Sequence, residues 1–270
     1  VSNPVVKGLG VSQLYTLVVT DANGCSAEDA VVVNVVPSTL TAEAGTDGSY
    51  CAGSGASITL GGIPTAVGGS PVFNYSWSGG LASVANPVAS PTLTTKYFVT
   101  VSDSKGCVAV DSVTVTVYSA PVACAGSDTA ICAGQTVRLG CGVGSSTTAT
   151  NGTAPYTYLW GPSTGLNNQN ASNPLATPTG TTTYTIRITD ANGCTASDAV
   201  LVTVRPNPVA DAGADKSLVA CSSDSVRLGG SPAASGGTSP YVYDWSPNGG
   251  VSDTAASNPY VSRLGSTATY

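Results

Sequence analysis

Eight cysteines are the residues of this sequence best suited to chemistry, because two thiols can be oxidised to a disulfide and a thiolate can hold a metal ion. No two of them have the Cys-x-x-Cys spacing that is typical of redox and zinc sites. Histidine is absent, so the plentiful serines lack the commonest general base and the chain lacks the commonest metal ligand. The cysteines therefore predict a disulfide framework in an oxidising, extracellular compartment. Because histidine is absent, the protein is predicted not to be an enzyme, and no cofactor is expected.

Carboxylates recur in one kind of turn, at Asp21, Asp103 and Asp190, each four residues before a cysteine. Oxygen-rich groups of this kind could bind calcium. Asp at the first position of a turn also accepts hydrogen bonds from its own backbone, and this structural role is the favoured interpretation. The three residues are thus weak calcium candidates, and no metal site is predicted.

Composition narrows the function classes further. Charged residues make up 9 % of the 270 residues, against about 25 % in an average soluble domain. The formal net charge is −6 and only nine residues are Lys or Arg, which excludes the basic patch that nucleic acid requires. No apolar stretch approaches the length of a membrane span, so the chain is predicted not to cross a membrane. Hydrophobic residues reach 41 %, which is enough to form folded cores.

A repeat of about 85 residues organises the whole chain. Each unit has a cysteine followed by an apolar run into Leu-Gly, then an aromatic strand that ends in Trp, an Asn-Pro step, and a Tyr strand that reaches a second cysteine ten residues later. The Trp residues are Trp77, Trp160 and Trp245, and the Tyr-to-Cys segments are Tyr15–Cys25, Tyr97–Cys107 and Tyr184–Cys194. The Trp side chains are expected to pack in cores rather than to stack on sugars.

Within a unit the apolar pattern has a period of two, with Gly-containing turns between the runs, which predicts β-strands joined by hairpins. The predicted fold class is all-β, with tandem immunoglobulin-like sandwiches of about seven strands arranged end to end. The predicted domains are a carboxy-terminal part of a unit at 1–40, complete units at 41–119 and 120–207, and an amino-terminal part of a unit at 208–270.

The positions of the cysteines in the repeat suggest a disulfide pattern. One cysteine precedes the second strand of a unit and another lies in the late hairpin turn, while one unit has an additional pair in place of Glu43 and Gly62. The predicted disulfides within units are Cys51 with Cys107, Cys132 with Cys194, and Cys124 with Cys141.

Cys25 and Cys221 are left without a partner in their own part-units. One interpretation is that the sequence is a window on a longer tandem array. The other is that the part-unit at one end is completed by strands of the neighbouring segment, with an inter-segment disulfide between Cys25 and Cys221. Both ends carry a related 14-residue segment, which suits an overlapping subunit and a window equally well.

The joint pattern of Ala-Gly-x-Asp, Leu-Gly-Gly, Pro-Tyr-x-Tyr-x-Trp, Asn-Pro and Thr-Asp-Ala-Asn-Gly-Cys resembles the PKD-like and related immunoglobulin-like tandem repeats of giant Bacteroidota cell-surface proteins, including gliding-motility adhesins. The resemblance covers nearly the whole chain. It implies a secreted, cell-surface location and a stalk-like or filament-forming role, with head-to-tail self-association or continuation of one long chain.

We therefore expect a structural segment or subunit of an extracellular filament or adhesin. Two alternatives stay open at this point: a ligand- or glycan-binding adhesin module, and the non-catalytic stalk of a larger secreted enzyme. Sequons and Asp-Ser/Thr-apolar patterns also predict a glycoprotein. The candidate glycosylation residues are Asn74, Asn151, Asn170, Ser112, Thr129, Ser225 and Thr254.

Overall fold

The computed structural model of the chain describes residues 4–141, 148–218 and 224–262. Regular structure in these residues consists of 22 β-strands and a short 3₁₀ turn at Ser78–Gly80. The chain forms two compact parts, Val1–Tyr118 and Ser119–Tyr270. The all-β prediction is confirmed, because alternating β-branched residues fit the pleated, half-buried surface of a strand.

The first element is an isolated antiparallel hairpin. It consists of β1 (Gln13–Thr20) and β2 (Ser26–Val33), in register from Gln13 opposite Val33 to Thr20 opposite Ser26. The turn that joins the strands is the predicted Asp-Ala-Asn-Gly sequence, in which Gly24 has a φ of 85°. This left-handed conformation favours glycine, so the sequence of the turn determines the hairpin.

A complete sandwich follows, with one four-stranded layer and one layer of two strand pairs. The four-stranded sheet has the order β4-β10-β9-β7, in which β9 and β10 are the central strands and β10 runs parallel to β4. The opposite layer pairs β3 with β6 and β5 with β8. The strands are β3 (Thr41–Ala42), β4 (Gly48–Cys51), β5 (Ile58–Thr59), β6 (Ala66–Val67), β7 (Asn74–Trp77), β8 (Val88–Ala89), β9 (Thr95–Ser102) and β10 (Val108–Tyr118).

A second sandwich repeats this topology strand for strand. Its four-stranded sheet is β12-β18-β17-β15, and its opposite layer pairs β11 with β14 and β13 with β16. The strands are β11 (Pro121–Ala123), β12 (Thr129–Cys132), β13 (Val137–Arg138), β14 (Ala149–Asn151), β15 (Thr157–Gly161), β16 (Leu175–Ala176), β17 (Thr182–Thr189) and β18 (Thr195–Arg205).

Alternate residues of the central strands form the cores, as the period-two pattern predicts. In the first sandwich Val99 and Val101 of β9 and Val113 and Val115 of β10 are buried with Trp77. The equivalent core of the second sandwich contains Trp160, Tyr184, Ile186, Ile188, Val200 and Val202. The expectation that these two Trp side chains pack in cores is confirmed.

The Leu-Gly and Asn-Pro motifs are in contact in the fold, and this contact accounts for the glycine of the Leu-Gly motif. The Asn173 side-chain amide donates to the Leu139 carbonyl oxygen at 3.2 Å, and Gly140 beside it has a φ of 93°. A Cβ at Gly140 would lie 2.2 Å from Nδ2 of Asn173. Since neither the conformation nor the space admits a side chain, the turn requires glycine at this position.

The last part of the chain contains one layer of a sandwich. Strands β19 (Pro208–Ala210) and β21 (Ala234–Gly236) pair with each other, as do β20 (Ser225–Arg227) and β22 (Tyr260–Ser262). These two pairs occupy the repeat positions of the two strand pairs in each complete sandwich. The segment that corresponds to β7 and β15, residues 241–245, does not form a strand here. The predicted boundaries of four units remain a prediction.

One predicted disulfide is present. Cys124 and Cys141 are bonded, with their Cα atoms 5.5 Å apart. The equivalent positions of the first sandwich also face each other, because a Cβ placed on Gly62 would lie 2.7 Å from the Cβ of Glu43. The additional disulfide therefore links two backbone segments that are also adjacent in the first sandwich.

The two long-range predictions within units were wrong. Cys107 and Cys132 carry free thiols, whereas Cys51 and Cys194 are disulfide-bonded. The cause is that β4 pairs in parallel with β10, and β12 with β18.

Cys51 lies opposite Tyr118 at the end of β10, whereas Cys107 directly precedes β10. The two cysteines are thus separated by the length of that strand, about 35 Å at about 3.3 Å per residue. A disulfide requires Cα atoms within about 7 Å, so Cys51 and Cys107 cannot pair.

The second sandwich has the same arrangement. Cys132 lies opposite Arg205 at the end of β18, and Cys194 directly precedes that strand. In each complete sandwich the two cysteines are therefore at opposite ends. The predicted inter-segment disulfide involves Cys221, which lies outside the described residues.

Candidate assembly interface

The isolated hairpin β1–β2 has the sequence of the two central strands of a sandwich but none of the packing. Leu17 and Val31 are 64 % and 62 % exposed. Their counterparts in the first sandwich, Val99 and Val113, are 0 % and 1 % exposed. The hairpin therefore presents the face that forms the core of every complete unit, and an uncovered apolar face of this kind favours association.

The amino-terminal part-unit at 208–262 is complementary to this hairpin. It holds a layer of paired strands, in which Leu228 and Val261 are buried, together with the sequence of an outer strand of the missing sheet. Trp245 in that sequence is half-buried, while its counterpart Trp160 is 1 % exposed. In the complete sandwiches this outer strand hydrogen-bonds to a central strand, which the described residues of the part-unit do not contain.

Two carboxylates fix the central hairpin in the first sandwich. The carboxylate of Asp111, on β10, accepts a hydrogen bond from the Ala44 N–H at 2.7 Å. In the opposite direction, the carboxylate of Asp47 accepts from the Thr114 N–H at 2.7 Å. The Ala-Gly-x-Asp motif and the final strand are thus joined by two reciprocal, charge-assisted hydrogen bonds.

The second sandwich repeats this pair of bonds. Asp198 accepts from the Ala125 N–H at 2.8 Å, and Asp128 accepts from the Leu201 N–H at 2.8 Å. Sequence reasoning missed these residues as a set. The available signal was that both Asp positions recur in every unit.

The hairpin β1–β2 and the part-unit at 208–262 each contain two of the four residues at the repeat positions that make these reciprocal bonds. Asp29 and Val32 of the hairpin have the repeat positions of Asp111 and Thr114. Ala212 and Asp215 of the part-unit at 208–262 have those of Ala44 and Asp47. In the structure Asp29 accepts a hydrogen bond from its neighbour Ala30 at 2.8 Å. The two parts therefore carry matching donors and acceptors as well as matching apolar faces.

The carboxylates of the hairpin turns serve as caps. Asp103 accepts hydrogen bonds from the backbone N–H groups of Ser70, Lys105 and Cys107, each at 2.9 Å. The Ser70 bond is the main cause of a lowered pKa at Asp103. Burial raises the pKa of Asp190, but hydrogen bonds from neighbouring backbone N–H groups outweigh it and leave that pKa lowered as well.

Asp21 has the same turn but an incomplete set of partners. Its Oδ1 accepts from the N–H groups of Asn23 and Cys25 at 2.9 and 2.8 Å, as the other two turns do. The third bond, which Thr153 donates to Asp190, has no counterpart at Asp21 within the described residues. The hydrogen bonds support the capping role for all three aspartates, and calcium binding at these positions remains untested.

The candidate glycosylation residues differ in exposure. Asn74, Asn151, Asn170 and Ser225 are exposed, whereas Ser112, Thr129 and Thr254 are half-buried. In the part of the chain that the structure describes, no group of three or more Cys, Asp or Glu side chains is arranged to hold a metal ion. The same residues include no helix of the length and apolarity that a membrane span needs.

No family profile matches the chain, and no curated protein matches it. Solved structures similar to it include the three-domain titin segment I67–I69, at 11 % identity over 85 % of this chain and 90 % of that one, with a TM-score of 0.42.

Two further similar structures are cell-adhesion and immune proteins. The eight amino-terminal immunoglobulin domains of Down Syndrome Cell Adhesion Molecule match at 16 % identity, over 93 % of this chain and 42 % of that one, with a TM-score of 0.38. The insect immune protein hemolin, whose domain arrangement has implications for homophilic adhesion, matches at 17 % identity over 71 % and 56 %, with a TM-score of 0.35.

These similarities concern the fold alone, and the strand order described above carries the assignment. Two four-stranded sheets, each facing a layer of paired strands over one core, define sandwiches. The chain is an all-β protein of tandem immunoglobulin-like sandwiches.

Proposed function

We propose that the chain is a structural repeat segment of an extracellular, cell-surface filament or adhesin of the PKD-like type, in which part-units are completed head to tail by strands of the neighbouring segment. The observation that carries the proposal is the complementarity of the hairpin β1–β2 and the part-unit at 208–262. One has the central strands of a sheet and the other has the opposite layer. The hairpin leaves its apolar face exposed, and Trp245 of the part-unit is only half-buried.

The complete sandwiches give the register of the completed unit. Tyr158 and Trp160 of β15 lie opposite Ile188 and Ile186 of β17. At the corresponding positions, Tyr243 of the part-unit would lie opposite Val19 of the hairpin, and Trp245 opposite Leu17. Insertion of the hairpin would therefore cover its core-facing side chains and supply hydrogen bonds to the unpaired segment 241–245.

An extracellular setting is supported by the chemistry of the chain. The bonded Cys124 and Cys141 and the oxidised Cys51 and Cys194 need an oxidising compartment to persist. Low charge and many β-strands are compatible with a stalk that spaces an adhesive tip from the cell, and glycans at exposed residues such as Asn74 would increase its solubility.

Sedimentation velocity of the full chain tests the proposal. The chain is kept in reductant, so that association does not depend on disulfides, and is examined over a range of protein concentrations. We expect a series of oligomers that lengthens with concentration and appears as unbranched fibres by electron microscopy. A chain that stays monomeric at every concentration, or forms closed dimers only, would contradict the head-to-tail arrangement.

A further inference from the structure

We infer that each head-to-tail junction is closed by an intermolecular disulfide between Cys25 of one copy and Cys132 of the copy that receives its hairpin. The inference rests on the proposed function, because the second copy's hairpin must occupy the part-unit at 208–262. The Cys25–Cys132 disulfide replaces the Cys25–Cys221 disulfide that the sequence predicts.

In the second sandwich, the late hairpin turn at residues 190–194 lies beside the segment through which the chain enters. In the second sandwich, Thr153 donates to the Asp190 carboxylate at 2.9 Å. A Cβ on the preceding residue, Gly152, would lie 2.8 Å from Oδ2 of Asp190 and 3.1 Å from the backbone nitrogen of Pro121. The turn that ends in Cys194 is therefore at the end of the unit where the chain enters.

The part-unit at 208–262 has an equivalent entry segment. Gly237 has the repeat position of Gly152, and a Cβ on it would lie 3.0 Å from the backbone nitrogen of Pro208, as at the entry of the second sandwich. A hairpin seated as in the complete unit would put the Asp21 carboxylate within reach of the Thr238 N–H. Cys25, at the other end of the same turn, would then lie beside Pro208.

Cys132 lies close to the segment that leads into Pro208. The Ala133 N–H donates to the Arg205 carbonyl oxygen at 2.9 Å, and the side-chain amide of Asn207 donates to the Ala133 carbonyl oxygen at 3.0 Å. Cys132 thus lies against the short link that enters the part-unit at Pro208. In the assembled state Cys25 of the second copy and Cys132 would face this link from its two sides.

The oxidation states of the cysteines support this pairing independently. Cys25 and Cys132 are both exposed and carry free thiols. Cys194 has the repeat position of Cys25, and Cys51 has that of Cys132. Both of these are disulfide-bonded. The two repeat positions therefore form disulfides in this fold, and Cys25 and Cys132 carry thiols that are available for such a bond. Cys107, which also has the repeat position of Cys25, carries a free thiol as well.

Bond formation needs an oxidant, which we take to be a low-molecular-weight disulfide. The Cys25 thiolate attacks the oxidant and forms a mixed disulfide, which releases one thiol. The Cys132 thiolate then attacks the Cys25 sulfur and releases the second thiol. Two protein thiols lose two protons and two electrons, and the disulfide of the oxidant becomes two thiols.

The test uses an equal mixture of ¹⁵N-labelled and unlabelled full chain, oxidised with oxidised glutathione and digested under non-reducing conditions. We expect a Cys25–Cys132 peptide pair, half of it with one labelled and one unlabelled partner. A Cys25–Cys221 pair, or a Cys25–Cys132 pair without mixed labelling, would overturn the inference.

Two variants separate this inference from the proposed function. Cys25→Ser and Cys132→Ser should each abolish the mixed-label peptide and yet leave association in reductant within about twofold of the original chain, since exposed substitutions change stability little. If the reduced chain associates but oxidation gives no Cys25–Cys132 pair, the inference alone fails. If the reduced chain does not associate at all, the proposed function fails first.

Discussion

Replacing Leu17 by Ala measures how much the hairpin face contributes to assembly. Leu17 is 64 % exposed in the structure, and its counterparts Val99 and Ile186 are fully buried. Burying a leucine contributes about 1.5–3 kcal/mol, and truncating a packed one to Ala costs about 2–5 kcal/mol. A loss near 3 kcal/mol corresponds to association that is weakened about 100-fold.

Val18→Ala is the matched control. Val18 is similarly exposed at 58 %, but its counterpart Arg187 points to solvent in the complete sandwich. We expect less than about threefold weakening from this variant, because exposed substitutions cost under about 0.5 kcal/mol. Sedimentation velocity in reductant, at matched concentrations, gives both association constants. Equal effects of Leu17→Ala and Val18→Ala would refute the proposed seating of the hairpin, and so would the absence of any effect of Leu17→Ala.

The remaining predictions concern the complete units. Replacing Cys124 by Glu and Cys141 by Gly together restores the residues of the first sandwich, and should lower the free energy of unfolding of the second by about 3 kcal/mol, the chain-entropy value for a loop of 17 residues, measured by denaturant titration. Gly140→Ala should destabilise the second sandwich by more than Gly134→Ala in the same titration, because both positions have positive φ but only Gly140 lacks space for a Cβ. Because the pKa of Asp190 is lowered, the stabilisation from its carboxylate is complete above the unfolded pKa of about 3.9 and is lost as the pH falls through the folded value. The free energy of unfolding, measured at a series of pH values, should therefore fall less steeply below about pH 4 in Asp190→Asn than in the original chain.

The strands and cores were predictable because they rest on local patterns. A period of two with β-branched residues identifies β9 and β17, and the recurring Trp residues mark core positions that the structure bears out at Trp77 and Trp160. The close contact between the Cys124 and Cys141 segments was also predictable, because an additional pair within one unit has few other partners.

The long-range cysteine pairs were not predictable in the same way. Sequence separation gives the size of a loop, but it does not say at which end of a strand a residue lies. Parallel pairing of β4 with β10 places Cys51 beside Tyr118, at the far end from Cys107. That pairing is accompanied by the reciprocal hydrogen bonds of Asp111 and Asp47, which join segments 67 residues apart and which no single segment of the sequence reveals.

The parallel pairing of β4 with β10 also affects how a sandwich would resist tension. The chain enters a sandwich through β3, continues into β4 and leaves along β10, and β4 and β10 run in the same direction side by side. Tension applied along the chain would therefore shear their hydrogen bonds together instead of opening them one at a time, and the Asp47 and Asp111 bonds resist sliding of the same segments. In a unit made from two copies the hairpin β1–β2 would supply the counterpart of β10, and a disulfide at the entry of that unit would keep the inserted hairpin from being withdrawn under tension.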